Sequence, residues 1–452
     1  EKEIRIDVFQ LDVPTISIAD ADKGFKVLQG SELTITPIVD SFLETSYSWQ
    51  INGEDISNEL TCTLPTIELG EYQVRFATHN EDGDDEVTFK VEVCSPDQVD
   101  FNWTFLQTEY NMSAGRTIRI KPVDVNNALD AVYTWTVDNE QVQSGENDTY
   151  LFTSEQQGEH TVKVEMKNSY ILATQTLKVN VCPPAGTYQR KISATSSASM
   201  NKVYEYLPAP GQFINENHNT ITMAEACTYA EERINQTAYV SLGGFGGYII
   251  VGFDHSIVND GDYNIAITGN AFDGSSEPGI VWVMQDENGD GLPNDTWYEL
   301  RGSEYGKAET WQDYAVTYHK PTGIQLPTPW TDNHGQSGSI DYLGAFHRQD
   351  YYYPAWVKEK QYTLRGTRLK ERNYDQSGNG TYWVNDSYEW GYADNFSAID
   401  RLTDDDNYNA GPSDNHFKIS HAVTFDGKDA NLKYVDFIKV QVGVNSKSGW
   451  LG

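Results

Sequence analysis

Two stretches of this sequence hold residue types that can do chemistry. The first is DENGDGLPNDTW, residues 286 to 297. Asp286, Asn288 and Asp290 occupy alternate positions, Gly291 follows where a sharp turn is needed, the Leu292 carbonyl comes next, and Asp295 can complete the shell. Hard oxygen donors at this spacing suit calcium, which collects about six to eight of them. Trp297 stands where a bidentate glutamate would close the helix-flanked form of such a loop, so any ion here is expected to be structural. The competing reading is a tight hairpin, because Asn-Gly and Asp-Gly are strong turn pairs.

The second stretch is the aromatic run from 330 to 392. Trp330, His347, Tyr351, Tyr352, Tyr353, Trp356, Trp383, Tyr388, Trp390 and Tyr392 lie there among Gly, Asn, Asp and Ser. Flat rings with polar tips bury wide area at small entropic cost and keep hydrogen-bonding handles, which predicts a ligand-binding face. The plainer account is packing: YYYPAW has an alternation that would turn about half of its rings inward along a strand. His347 can ligate a metal or a corrin cobalt, or serve as an ordinary hydrogen-bonded imidazole. Asn333, Gln336, Gln349 and Asn385 supply amides beside these rings.

Nothing in the sequence matches a catalytic signature. There is no G-x-S-x-G elbow, H-E-x-x-H or phosphate-cradling loop, so the chain reads as a non-enzyme. The glycines of SLGGFGG precede a strand rather than a helix, which excludes a dinucleotide fingerprint and predicts a bulge or a close backbone approach.

The elements that carry these stretches are β throughout. Short runs of β-branched and aromatic residues alternate with Gly, Asn and Asp turns. Residues 1 to 185 contain a repeat: SYSWQINGE, GEYQVRF and FKVEVCSP return as VYTWTVDNE, GEHTVKV and LKVNVCPP. Trp49 aligns with Trp135, Gly70 with Gly158 and Cys94 with Cys182, at near-constant offsets. One Trp per copy would plug the space between two sheets. The repeats resemble PKD and PKD-like domains of bacterial surface proteins, a likeness that implies spacing and presentation. Boundaries at 1–95, 96–185 and 186–452 follow, with Pro-Pro-Ala-Gly as the linker. The fold class is all-β: two immunoglobulin-like, PKD-like sandwiches and a larger, mainly-β, jelly-roll-like globular domain with one or few helices. The helix is predicted where Met223, Ala226, Cys227, Ala230 and Ile234 share a face behind a Thr222–Glu225 capping box, with Cys227 buried.

Composition narrows the partners. A chain of 452 residues exceeds one core. Its formal charge of −35 repels nucleic acid and anionic membrane. No apolar run is long enough to span a bilayer. Cys62, Cys94, Cys182 and Cys227 are too scattered for a disulfide scaffold or zinc cluster and read as isolated thiols.

EYLPAPGQF, VSLGGFGGYIIVGFDHSI, GNAFDGSSEPGIVWVMQDENGDGLPNDTWYELRGSEYG, YTLRGTRL and VDFIKVQVGVN together resemble a recurrent Bacteroidetes cell-surface lipoprotein domain. With tandem PKD-like repeats before it, the chain is similar to the BtuH class of vitamin B12-binding proteins. That resemblance implies capture of cobalamin as a transported ligand for an outer-membrane transporter. It also implies a place on the extracellular face of the outer membrane, lipid-anchored through a removed N-terminal segment. A glycan-binding adhesin module and a structural surface protein are the alternatives.

Overall fold

The computed structural model describes residues 11–449 apart from 67, 96–100, 127, 129, 169–170, 217, 237 and 403–413. The chain forms two compact units. One comprises residues 1–109, 119–152 and 159–179; the other comprises 110–118, 153–158 and 180–452.

In the first unit the leading repeat builds a five-stranded sheet in the order Phe25–Leu28, Gly83–Cys94, Gly70–Asn80, Ser46–Ile51, Glu54–Ser57. The pair Leu33–Ile35 and Cys62–Leu64 closes the core over it. Trp49 is fully buried, 4.5 Å from the Phe76 ring, and its Nε1 donates to the Glu59 carbonyl at 2.9 Å. The second repeat pairs Val132–Val137 with both Glu140–Gly145 and Gly158–Lys167. Trp135 is as buried as Trp49 and stacks on Tyr150 at 5.5 Å. The aligned tryptophans therefore plug both copies, as the spacing predicts.

The second unit is organised on a six-stranded antiparallel sheet in the order Lys202–Leu207, Tyr248–Val258, Tyr434–Val442, Gly279–Met284, Trp297–Leu300, Ala422–Val423. One core of this unit holds Val281, Val283, Tyr298, Leu300, Val435 and Ile438. A four-stranded sheet follows, ordered Ser337–Ile340, Thr328–Asp332, Trp311–His319, Gln361–Arg368. Its Tyr314, Val316, Tyr318 and Leu364 join the helix Met223–Asn235 in a second core. The predicted capping box is present, and Ala226 and Ala230 are buried. Cys227 is half-buried rather than buried; all four cysteines are free.

The SLGGFGG segment meets its expectation. Gly243 has φ +70°, and a Cβ there would strike the Ala209 carbonyl. A Cβ on Gly247 would strike the Leu242 carbonyl and the Ala209 N–H, which are bonded to each other at 2.9 Å.

YYYPAW departs from its expected alternation, since it forms no strand. Pro354 has no N–H to give to a ladder. The Asn215 amide takes over instead, donating to the Tyr351 and Tyr353 carbonyls at 2.9 and 2.8 Å and accepting from Ala355 N–H at 3.0 Å. Without strand geometry, the consecutive Tyr352 and Tyr353 are both buried.

Candidate functional site

The acidic loop joins strands Gly279–Met284 and Trp297–Leu300, and it closes upon itself. Asp286 accepts from Gly289 N–H at 2.7 Å and from Gly291 N–H at 3.0 Å. Asp290 accepts from Leu292 N–H at 2.7 Å and from the Asn288 and Asn294 amides, each at 2.8 Å. Asp295 accepts from Glu287 N–H at 2.8 Å through one oxygen; its other oxygen is buried without a hydrogen-bond partner among the described residues. Gly289 and Gly291 both take positive φ, which glycine reaches at no steric cost. Among the described residues, no three His, Cys, Asp or Glu side chains stand where one metal ion could join them. The five positions expected to hold calcium, Asp286, Asn288, Asp290, Leu292 and Asp295, are placed in one hydrogen-bonded turn.

Beneath the loop lies a dense group of charges. Asp286, Glu287, Asp295 and Asp436 are all buried. Burial pushes the Asp295 carboxyl up to about 8, with Glu287, Asp286 and Asp290 adding repulsion. Glu287 is raised for the same first reason, opposed by Arg116, whose Nε stands 3.1 Å away. Arg116 also donates to Gln285 at 3.0 Å, while Arg190 donates to Asp436 at 3.0 Å and to the Phe253 carbonyl at 2.8 Å.

The ten residues of the aromatic run are divided rather than gathered. Tyr352, Tyr353, Trp356, Tyr388 and Tyr392 are buried, which corrects the expectation that they line a ligand face. The physical reason is that their polar tips serve backbone groups inside the fold. Tyr352 donates to the His347 carbonyl at 3.0 Å, Tyr353 to Glu359 at 2.9 Å, Trp356 to Tyr206 at 3.2 Å and Tyr388 to Lys370 at 2.6 Å. The Tyr392 hydroxyl accepts from Glu304 N–H at 2.9 Å. Tyr353 and Trp356 belong to the helix-bearing core, whereas Tyr388 and Tyr392 form a separate cluster with Ile280 and Leu369.

The other five are half-buried: Trp330, His347, Tyr351, Trp383 and Trp390. His347 pairs with Glu216 at 2.6 Å and meets the Phe213 ring edge-on at 4.8 Å. Lys320 lies over the Tyr351 ring, and Trp390 tilts against His421. Three of the four amides are structural: Gln349 donates to the Gln212 and Ile214 carbonyls, Asn333 accepts from Ala315 N–H, and Asn385 accepts from Ser448, whereas Gln336 is exposed and bonds Asp332 through its backbone N–H.

A more compact set lies on one face of the six-stranded sheet, and sequence reasoning missed it. Register places Glu205, Ile250, Lys439, Trp282 and Glu299 side by side across five strands. Residues paired across a sheet share a face, as do neighbours two positions along a strand. Tyr248, Gln441 and Trp297 therefore flank the same row. The Lys439 ammonium sits 4.7 Å from the Trp282 ring centroid, 5.1 Å from Trp297 and 5.9 Å from Tyr248. It makes no hydrogen bond or ion pair among the described residues. Lys439, Trp282, Trp297, Tyr248 and Glu205 are half-buried, so each retains a solvent-facing part. Burial nevertheless pushes the Lys439 ammonium down to about 8, against the pull of Glu205 and Glu299. The signal in the sequence was a lysine inside the apolar run VDFIKVQV and a tryptophan inside GIVWVM.

Glu299 gives this row a pH signature. Burial pushes its carboxyl from 4.5 up to about 7, with Thr367 and Lys439 pulling the other way. Between those values the native chain holds a proton that the unfolded chain has lost, so stability falls as pH rises through that window. In urea titrations, unfolding free energy is expected to drop from pH 4.5 to pH 7, and Glu299→Gln to remove on the order of 3 kcal/mol of that drop. An unchanged pH slope in the variant would contradict the assignment.

Residues 13–80 and 105–168 match the PKD-like domain family. Among solved structures the chain is similar to the fibronectin(III)-like modules of CbhA from Clostridium thermocellum, at 15% identity and TM-score 0.26, over 40% of this chain and 100% of that one. It is also similar to a chimeric titin Z1Z2, at 20% identity and TM-score 0.23, over 38% of this chain and 98% of that one. The Ig1-2 module of the Drosophila receptor protein tyrosine phosphatase DLAR follows at 10% identity and TM-score 0.20, over 37% and 98%. No curated protein sequence matches the chain. PKD-like and immunoglobulin-like domains are typically non-catalytic. Among the described residues, no helix is long and apolar enough to cross a membrane.

Proposed function

We propose that this chain is a non-catalytic capture protein of the bacterial cell surface, in which tandem PKD-like sandwiches space a larger β domain that binds a ligand. The observation that supports this best is the cluster around Lys439, where three half-buried rings gather about an ammonium that makes no hydrogen bond or ion pair among the described residues. Rigid strands hold such a constellation better than loops do. The location proposed is the extracellular face of the outer membrane, with lipid anchoring.

A cobamide remains the cargo on the strength of the sequence resemblance, with delivery to an outer-membrane transporter. Five of the ten rings assigned to it are packed inside, so the corrin would have to be met by the half-buried remainder, Trp330, His347, Tyr351, Trp383 and Trp390. Calorimetric titration of the full chain with cyanocobalamin and with glycans, in calcium and in chelator, tests the reading. Saturable binding without turnover is expected. Absence of binding to either class at micromolar protein, or conversion of a bound ligand, would sink it. A chelator-dependent fall in unfolding temperature is expected if the acidic loop holds calcium, and an unchanged midpoint would remove that assignment.

A further inference from the structure

We infer that the first sandwich accepts an extended basic peptide as an added β-strand along the free edge of Gly83–Cys94. This goes beyond the capture reading, which treats that sandwich as a spacer, and does not depend on it.

The edge is only partly used. Strand Phe25–Leu28 runs parallel to Val91–Cys94 and covers that end. The Cys94 carbonyl accepts from Gln29 N–H on this side at 2.9 Å, so the backbone groups of even-numbered residues point outward, away from the partner strand Gly70–Asn80. The cover stops at Gly24, whose backbone lies so close that a Cβ on it would stand 2.9 Å from the Lys90 carbonyl oxygen. Further along, the Glu86 N–H is taken by the Asp85 carboxylate at 2.9 Å. The N–H and carbonyl of Thr88 and the carbonyl of Glu86 have no hydrogen-bond partner among the described residues.

Beside these groups lies an open groove of about 370 Å³. Ile16, Ile18, Ala21 and Val87 give it apolar walls, and Asp22 and Thr88 border it. It is the gap left where the chain leaves strand Thr15–Ser17, paired to Ile38–Asp40, and joins Gly83–Cys94 only at Phe25. A donor and an acceptor open on one residue, next to an apolar groove, are what an added strand needs: backbone bonds supply affinity, and alternate side chains supply specificity. Side chains of that strand alternate between two faces. Those on the Val87 side would enter the groove, which suits aliphatic residues. Those on the other side would lie beside Asp84 and Glu86, both exposed.

Charge names the partner. The open stretch carries Asp84, Asp85 and Glu86 in succession, with Asp22 on the groove. Arg75 pairs with Glu86 and His79 with Asp84, but exposed pairs hold weakly and leave room for a further cation. A second copy of this chain would bring the same carboxylates to the same edge, within a formal charge of −35. A strand alternating aliphatic and basic residues meets both the groove and the carboxylates.

The test titrates the full chain with a labelled peptide alternating lysine and valine. One control has the same composition with lysines and valines in separate blocks, and another alternates glutamate and valine. The alternating lysine peptide is expected to bind saturably and to slow hydrogen–deuterium exchange in the stretch around Thr88. Thr88→Pro removes an N–H that makes no bond within the chain, at an edge position where proline is tolerated. It is expected to weaken binding by about tenfold or more, the scale of one or two lost backbone hydrogen bonds. Glu86→Lys is expected to weaken the lysine peptide and strengthen the glutamate peptide, a reversal that loss of folding cannot mimic. The inference is overturned if the alternating lysine peptide does not bind, if either control binds the unaltered chain equally well, or if the slowed exchange falls elsewhere. Self-association of the chain that Thr88→Pro abolishes overturns it too. Cyanocobalamin and glycan titrations report on the larger β domain, so failure here leaves the capture reading standing.

Discussion

Replacing Asp436 with alanine is expected to cost roughly 3–5 kcal/mol, the range for breaking a buried ion pair from one side. Asp436 is completely buried. One of its oxygens accepts from the Ser256 hydroxyl at 2.6 Å and from Arg190 Nη2 at 3.0 Å, and the other accepts from Asp286 N–H at 2.9 Å. Alanine would leave the Arg190 guanidinium with a carbonyl and the Phe437 ring as its company. It would also orphan the N–H that opens the acidic loop. Asp436→Asn keeps an oxygen for one of these donors, and its expected cost is about 1–3 kcal/mol. Urea unfolding of the two variants decides the matter. A loss below about 1 kcal/mol for the alanine variant would show that solvent repairs the site and that the charge group is looser than its distances imply.

Gly247→Ala is expected to be nearly as damaging, for steric rather than electrostatic reasons. The added methyl would enter the hydrogen bond between Ala209 N–H and the Leu242 carbonyl. Both partners are backbone, so neither can swing aside as a long side chain would. The Gly247 carbonyl meanwhile accepts from Val442 N–H at 3.0 Å, which ties the same turn to the central strand of the six-stranded sheet. Overpacking of this kind costs about 1–3 kcal/mol, and more where backbone must move. A fall of several degrees in the unfolding midpoint is expected, larger than for Gly335→Ala, whose Cβ would meet open space and whose cost is only the roughly 1–2 kcal/mol of a side chain at its φ of +79°. Equal midpoints for the two variants would refute the close-approach account.

Much of the architecture was legible because it depends on local pattern. The repeated Tyr-x-Trp motif marked both sandwich plugs, and Thr222 with Glu225 marked the start of the helix, since a capping box is written within four consecutive residues. The glycines of SLGGFGG announced a close approach without saying to what. The site was harder, because ring density does not say which way a ring points. Tyr352 and Tyr353 adjoin in a segment that Pro354 keeps out of a strand, so alternation gave no guide to their burial. The Lys439 cluster was hidden for the opposite reason. Its members come from residues 205 to 439, and only antiparallel register sets them in one row. Lys439 itself stood in plain view, as a cation in a run of apolar residues.

Arg116 sits in a segment, 110–118, that folds into the same compact unit as residues 180–452, reaching Glu287 and Gln285 while Ser113 N–H bonds Glu287 at 3.0 Å. The seam along which the repeat was copied is therefore not the seam along which the chain is assembled. Anyone cutting the gene at the Pro-Pro-Ala-Gly run would amputate the counter-charge of a sunken glutamate, and a soluble excision should begin upstream of residue 110.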